Sequence, residues 1–162
     1  MIDLRIAPIA TDADVEAARG LVRAHGEARM TTPGVEYVFR DADRLPGPYV
    51  PPDGTFLIAW AGNVAAGCGA LKRLDATRGE VKRMFVRPEY RGAGVARRIM
   101  EQLIATARHV GYERLCLGTL DDMIAAQRLY ESLGFTPVPR YRSDELIDTR
   151  FYELDLHARS AP

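Results

Sequence analysis

The residues most able to do chemistry in this 162-residue chain form one segment, Arg91-Gly92-Ala93-Gly94-Val95-Ala96-Arg97, just beyond a β-rich run that ends at Pro88. Gly92 and Gly94 remove side chains where a ligand's phosphates could lie against bare peptide N–H groups. A helix is expected to begin at about Gly94. Its first turn leaves N–H groups unpaired and adds a dipole that favours anions. Arg91 stands beside them to neutralise anionic oxygens. The segment reads as a diphosphate seat.

What is missing narrows the ligand. A P-loop needs Gly-Lys-Ser/Thr, which occurs nowhere in the chain. The dinucleotide fingerprint needs a third glycine where Arg97 stands, and an acidic residue near the end of the next strand, which instead reads Arg114-Leu115-Cys116-Leu117. The order that fits is Arg-x-x-Gly-x-Ala, met by Arg91, Gly94 and Ala96. It resembles the acyl-coenzyme A site of the GNAT superfamily of N-acetyltransferases. A second block, Ala125-Ala126-Gln127-Arg128-Leu129-Tyr130-Glu131-Ser132-Leu133-Gly134-Phe135, is similar to that superfamily's later helix, with its Leu-Tyr-x-x-Leu-Gly-Phe. Together the blocks cover residues about 80 to 136, in the right order and one strand apart.

The resemblance, to a branch of small-molecule type, implies roles for particular residues. Backbone groups of Met84, Phe85 and Val86 would hold the pantetheine arm, and one N–H there would polarise the thioester carbonyl. Residues 91–97 (Arg91, Gly92, Ala93, Gly94, Val95, Ala96, Arg97) would hold the diphosphate of acetyl-coenzyme A. Tyr130 would donate a proton to the departing sulfur, or else pack at the helix rim beside Leu129 and Leu133. Glu80 holds the spacing of a catalytic glutamate found in some members. It lies four residues from Met84, about 13 Å along an extended strand, so it would work through water. The alternative is a strand-end charge paired with Lys82 or Arg83. An acidic residue that other members carry one strand later falls on Gly118, and an asparagine that braces the arm is replaced by Met123.

The implied reaction is transfer of an acetyl group to the primary amine of a small molecule by direct attack. Acetylation of protein lysines or N-termini, and acyl-coenzyme A sensing without turnover, are the competing readings. The acceptor pocket is expected from residues 31–54, the turn at 75–79 and the loop at 142–149, with Tyr49, Tyr141, Asp144, Glu145 and Asp148 as contacts. Acidic lining would suit a cationic amine.

The elements that must position these groups follow from pattern. Thr11-Asp12 caps a helix in which Val15, Ala18, Leu21 and Val22 recur at helical spacing. A short helix ends at Leu45, and Pro46 to Pro52 forms a stiff surface loop with a substrate-facing role. Thr55 to Trp60 and Val64 to Leu74 pair as a hairpin, and Glu80 to Val86 is the next strand. A helix at 94–109, a strand at 114–120, a helix at 123–133 and strands at 136–141 and 151–156 complete the order. The reading is α+β: one domain over residues 1–162, with a mixed, mostly antiparallel sheet of about seven strands and about four helices.

Composition limits the functions available. The formal net charge is +0, which gives nucleic-acid binding no electrostatic support. No apolar run approaches a membrane span, and Met1 to Arg5 lacks the order of a signal peptide. Cys68 and Cys116 lie in strands as packing thiols, which fits a reduced, cytoplasmic setting. Three scattered histidines assemble no metal site. A homodimer is left open.

Overall fold

The computed structural model describes residues 2–143 and 149–157. Strand β1 (Leu4–Pro8) leads into α1 (Asp12–Glu27) and α2 (Glu36–Arg44). Then come β2 (Thr55–Ala61), β3 (Val64–Arg73) and β4 (Arg78–Val86), with a short 3-10 turn at Pro88–Tyr90. Helix α3 (Val95–Val110), β5 (Arg114–Leu120), α4 (Ile124–Ser132), β6 (Thr136–Val138) and β7 (Thr149–Asp155) follow. The order is the expected one. Bounds differ by more than one residue in three strands: β4 and β7 each begin two residues earlier, and β6 stops at Val138, short of Tyr141.

The seven strands form one sheet in the order β1-β2-β3-β4-β5-β7-β6. Every neighbouring pair is antiparallel except β4 with β5. A parallel pair needs a crossover, and α3 supplies it.

The sheet is buried on both faces, so β2 is apolar without alternation. Phe56 and Ile58 pack with Leu21 and Val22 of α1 and Ala42 of α2. Leu57 and Leu71 face the other way, against Ile99, Met100 and Leu103 of α3 and Tyr130 of α4. Local signals set the helix ends. Thr11 Oγ1 accepts the Asp14 N–H at 3.1 Å while Asp14 Oδ2 accepts the Thr11 N–H at 3.1 Å, a reciprocal cap for α1. Gly111, at φ +99°, closes α3 in the left-handed conformation that only glycine adopts at little cost.

The proline-rich segment is a surface loop as expected, with Gly47, Pro48, Val50, Pro51 and Pro52 exposed. Its aromatic residue departs from expectation: Tyr49 turns inward, only 2 % exposed, its O–H donating to Asp41 Oδ2 at 2.8 Å. Proline stiffness indicates an ordered loop but not the side on which its aromatic residue lies.

Candidate active site

Strands β4 and β5 are joined by three register pairs, Arg78↔Arg114, Gly79↔Leu115 and Glu80↔Cys116, and then part. Residues 81–84 and 117–120 line the resulting cleft, about 450 Å³ in volume, which extends to the end of α1 and the start of α2. The break coincides with a bulge. Between Ala70↔Lys82 and Cys68↔Phe85 the register slips, and Arg83 takes φ +58°. A non-glycine residue there stores about 1–3 kcal/mol of strain. Arg83 is held to it by Nε donating to Asp41 Oδ2 at 2.5 Å, by the Cys68 thiol donating to its carbonyl at 3.2 Å, and by the Tyr37 ring 4.9 Å from the guanidinium. Beyond Glu80 the β5 side of β4 has no ladder partner, which leaves backbone of the Met84–Val86 stretch available to a ligand.

The glycine turn lies at the far end of β4. Gly92 and Gly94 both have φ +78°, and a Cβ built on either would meet nothing within 4 Å. Helix α3 starts at Val95 with no side-chain cap and no acidic residue in its first turn, so its N-terminal N–H groups are unclaimed by side chains. Arg91 is exposed, and its Nε donates to the Val86 carbonyl at 2.9 Å. Uncapped amides, open space above two glycines and a flanking cation suit a diphosphate. Gly94→Ala is expected to raise the KM for acetyl-coenzyme A about tenfold, roughly 1.4 kcal/mol, with the fold retained. Initial-rate kinetics with varied donor would check it.

Tyr130 lines the cleft, 6 % exposed, with its ring edge-on to Phe135 at 6.0 Å. Burial alone pushes its phenol up to about 12. It is therefore protonated at any physiological pH and able to donate.

His25 is a cleft residue that the sequence reading passed over. It continues the buried stripe of Ala18, Leu21 and Val22 at i+7, the signal by which it could have been found. Its ring stacks on Phe85 at 5.4 Å, and Nδ1 is buried without a hydrogen-bond partner. Burial first, then the charges of Arg83, Arg29 and Arg91, lower its pKa from 6.5 to about 4. The unfolded chain thus takes up a proton that the folded one refuses. Stability should be complete above about pH 6.5 and fall towards pH 4, by about 3 kcal/mol at most. Urea midpoints measured across that range should show a shallower fall in His25→Gln. Lys82 also lines the cleft; burial lowers its ammonium to about 8 against the opposing pull of Glu80.

Glu80 is placed differently from the expectation. It is fully buried, does not line the cleft, and has both oxygens engaged. Oε2 accepts the Tyr141 O–H at 2.7 Å and Oε1 accepts Arg142 Nη1 at 2.8 Å, with Lys72 Nζ 3.8 Å away. The structure thus brings Met84 and Tyr130 together at the cleft but leaves Glu80 outside it.

Other acceptor contacts also move. Tyr49 and Tyr141 are tied to Asp41 and Glu80, and the turn at 75–79 folds on itself, Asp75 Oδ1 accepting the Arg78 N–H at 2.9 Å. Of residues 31–54, only Thr32 to Arg40 supply lining residues, and of 142–149, Thr149 does. Asp144, Glu145 and Asp148 lie outside the described residues. Gly118 is in the cleft wall, where a Cβ would meet Thr149 Cγ2 at 2.9 Å, and Met123 lines the cleft as well.

The site thus combines a parallel pair opened by a bulge, a glycine turn and an uncapped helix start. The chain belongs to the acetyltransferase (GNAT) family, whose model matches residues 18–135, and is an enzyme of the acyl-coenzyme A-dependent N-acyltransferase type. It is 35 % identical over 147 residues to YedL, an uncharacterised N-acetyltransferase of Escherichia coli, spanning 86 % of this chain and 88 % of that protein. Against YsnE, an uncharacterised N-acetyltransferase of Bacillus subtilis, identity is 42 % over 95 residues, which is 57 % of this chain and 60 % of the relative. A relative from Salmonella typhimurium, L-methionine sulfoximine/L-methionine sulfone acetyltransferase, is 31 % identical over 84 residues, 49 % of each protein. Among solved structures, a GNAT-family acetyltransferase of Staphylococcus aureus matches with a TM-score of 0.80 at 24 % identity, covering 95 % of this chain and 99 % of that one. Salmonella typhimurium yncA, solved with its cofactor acetyl-coenzyme A, matches at 0.69 and 22 % identity, covering 99 % and 98 %. At such identities the likeness is one of fold.

Among the described residues, no group of three or more His, Cys, Asp or Glu side chains could hold a metal ion, and no helix is long and apolar enough to cross a membrane.

Proposed function

We propose that this chain moves an acetyl group from acetyl-coenzyme A to the primary amine of a small molecule within a ternary complex. The observation that carries the reading is the opening of β4 from β5, with a small cleft in the gap. A cleft of about 450 Å³ is of small-molecule size. The name of the methionine sulfoximine acetyltransferase relative supports an acceptor of that kind.

In this reading N–H groups of residues 92–97 and the Arg91 guanidinium hold the diphosphate. Backbone groups of Met84, Phe85 and Val86 align the arm as a missing strand would, and one N–H stabilises the carbonyl oxygen. Acetyl-coenzyme A supplies an acyl group activated as a thioester: the acceptor nitrogen forms the new C–N bond, the C–S bond breaks, and the sulfur leaves as a thiol. Tyr130 donates that proton and is reprotonated, through water, by the proton that the acylated nitrogen gives up. His25, neutral at pH 7, offers an acceptor nitrogen in the cleft wall for an amine N–H. Glu80 acts as a positioning residue that fixes Tyr141 and Arg142 rather than as the base.

The test is a screen of primary amines for coenzyme A release by the purified chain, with lysine-containing peptides as a second arm. Release that requires a small amine and matches its acetylation is expected. Hydrolysis that ignores the amine, or turnover confined to peptides, would overturn the reading.

A further inference from the structure

The described lining of the cleft is basic. Its described lining includes Arg29, Arg40, Lys82 and Arg83, together with His25, and contains no Asp or Glu. Resting on the acetyl-transfer reading above, we infer that the acceptor carries a carboxylate beside its amine, as an amino acid does, and that Arg83 and Arg40 receive it.

Arg83 is the central observation. Its guanidinium is buried on the cleft wall, with Nε committed to Asp41 and Nη2 left without any hydrogen-bond partner. Buried donors are almost always satisfied, because water is not there to replace a missing acceptor. A planar fork with one arm occupied presents its remaining N–H groups in the geometry that a carboxylate accepts. The fork is fixed in advance: the Asp41 bridge orients it and the Tyr37 ring covers one face at 4.9 Å. An acceptor therefore meets a donor set that is already ordered.

Arg40 extends the same wall from α2, is exposed, and makes no ion pair among the described residues. Arg29 reaches it from the end of α1, with Asp122 only at 3.4 Å and itself largely exposed. Asp41, the acid behind the wall, is taken up by Arg83 and Tyr49. A polyamine or a lysine side chain would bring a second cation into this field. An amino acid brings the complement, and its size leaves room for the acyl arm.

The decisive experiment compares matched acceptors. L-amino acids and their C-terminal amides are assayed for coenzyme A release, and the same probes are titrated into the acetyl-coenzyme A complex while the side-chain NMR signals of arginine Nε–H groups and His25 are followed. We expect kcat/KM at least 100-fold higher for one or more free amino acids than for the amide, and shifts at Arg83 and His25 with the carboxylate alone. Arg40→Gln should raise KM for the carboxylate acceptor about tenfold without changing KM for its amide, and Arg83→Lys should raise it further. Should Arg83→Lys fail to fold, the Arg40 variant and the NMR titration still decide. Amides or carboxylate-free amines turned over as well as amino acids would overturn the inference while leaving acetyl transfer intact. So would a set of amino acids that neither reacts nor moves either signal. Carboxylate shifts with no coenzyme A release from any amine would keep the anion site and remove the transfer reading.

Discussion

Tyr130→Phe is expected to lower kcat about 100-fold while KM for acetyl-coenzyme A and the melting temperature stay close to those of the parent. A positioned general acid contributes 10²–10⁴-fold, and the lower end suits a thiol leaving group that needs little help. Packing is retained because phenylalanine keeps the ring that meets Phe135 at 6.0 Å and Tyr152 at 6.5 Å. No described residue accepts the phenol O–H, so removing it breaks no internal hydrogen bond. Single-turnover kinetics isolate the chemical step from product release. An unchanged chemical rate would take the proton donor away from this helix.

Glu80→Ala is expected to destabilise the fold by about 3–5 kcal/mol, much of what a domain this size possesses. The carboxylate is fully buried, and its loss removes the acceptor of the Tyr141 hydroxyl and of Arg142 Nη1 and the anion beside Lys72. Tyr141 would lose the acceptor that, after burial, does most to hold its phenol protonated. Glu80→Gln should be milder, since the amide oxygen can still accept one of the two hydrogen bonds. Chemical denaturation of the three proteins gives the order directly. A Glu80→Gln enzyme of parental stability and greatly reduced kcat would return Glu80 to the reaction.

How far the sequence carried depended on whether a signal was local. Thr11 and Asp14 announce the start of α1 within four residues, and Gly92, Gly94 and Gly111 sit at the positive φ values that their type suggests. The glycine turn and the uncapped start of α3 were legible for the same reason: turn, helix start and Arg91 are contiguous. The cleft was not. Its wall joins the end of α1, the start of α2 and the middle of β4. Arg83 carries no mark of its bulge, because Asp41 lies 42 positions away and Gly69, which allows the slip, faces it from another strand. Glu80 looked free because Tyr141 and Arg142 are 61 and 62 positions distant. Tyr49 looked exposed because prolines surround it.

The short seam between β4 and β5 has a mechanical meaning. Four strands lie on one side and three on the other, with three register pairs between them at one end. Such an arrangement is a clasp left ajar, and in the proposed reading the acyl donor, bridging both leaves, would fasten it. On that reading catalysis and rigidity are linked by mass action: the molecule would be firmest when charged with its donor and slacken as the spent carrier departs.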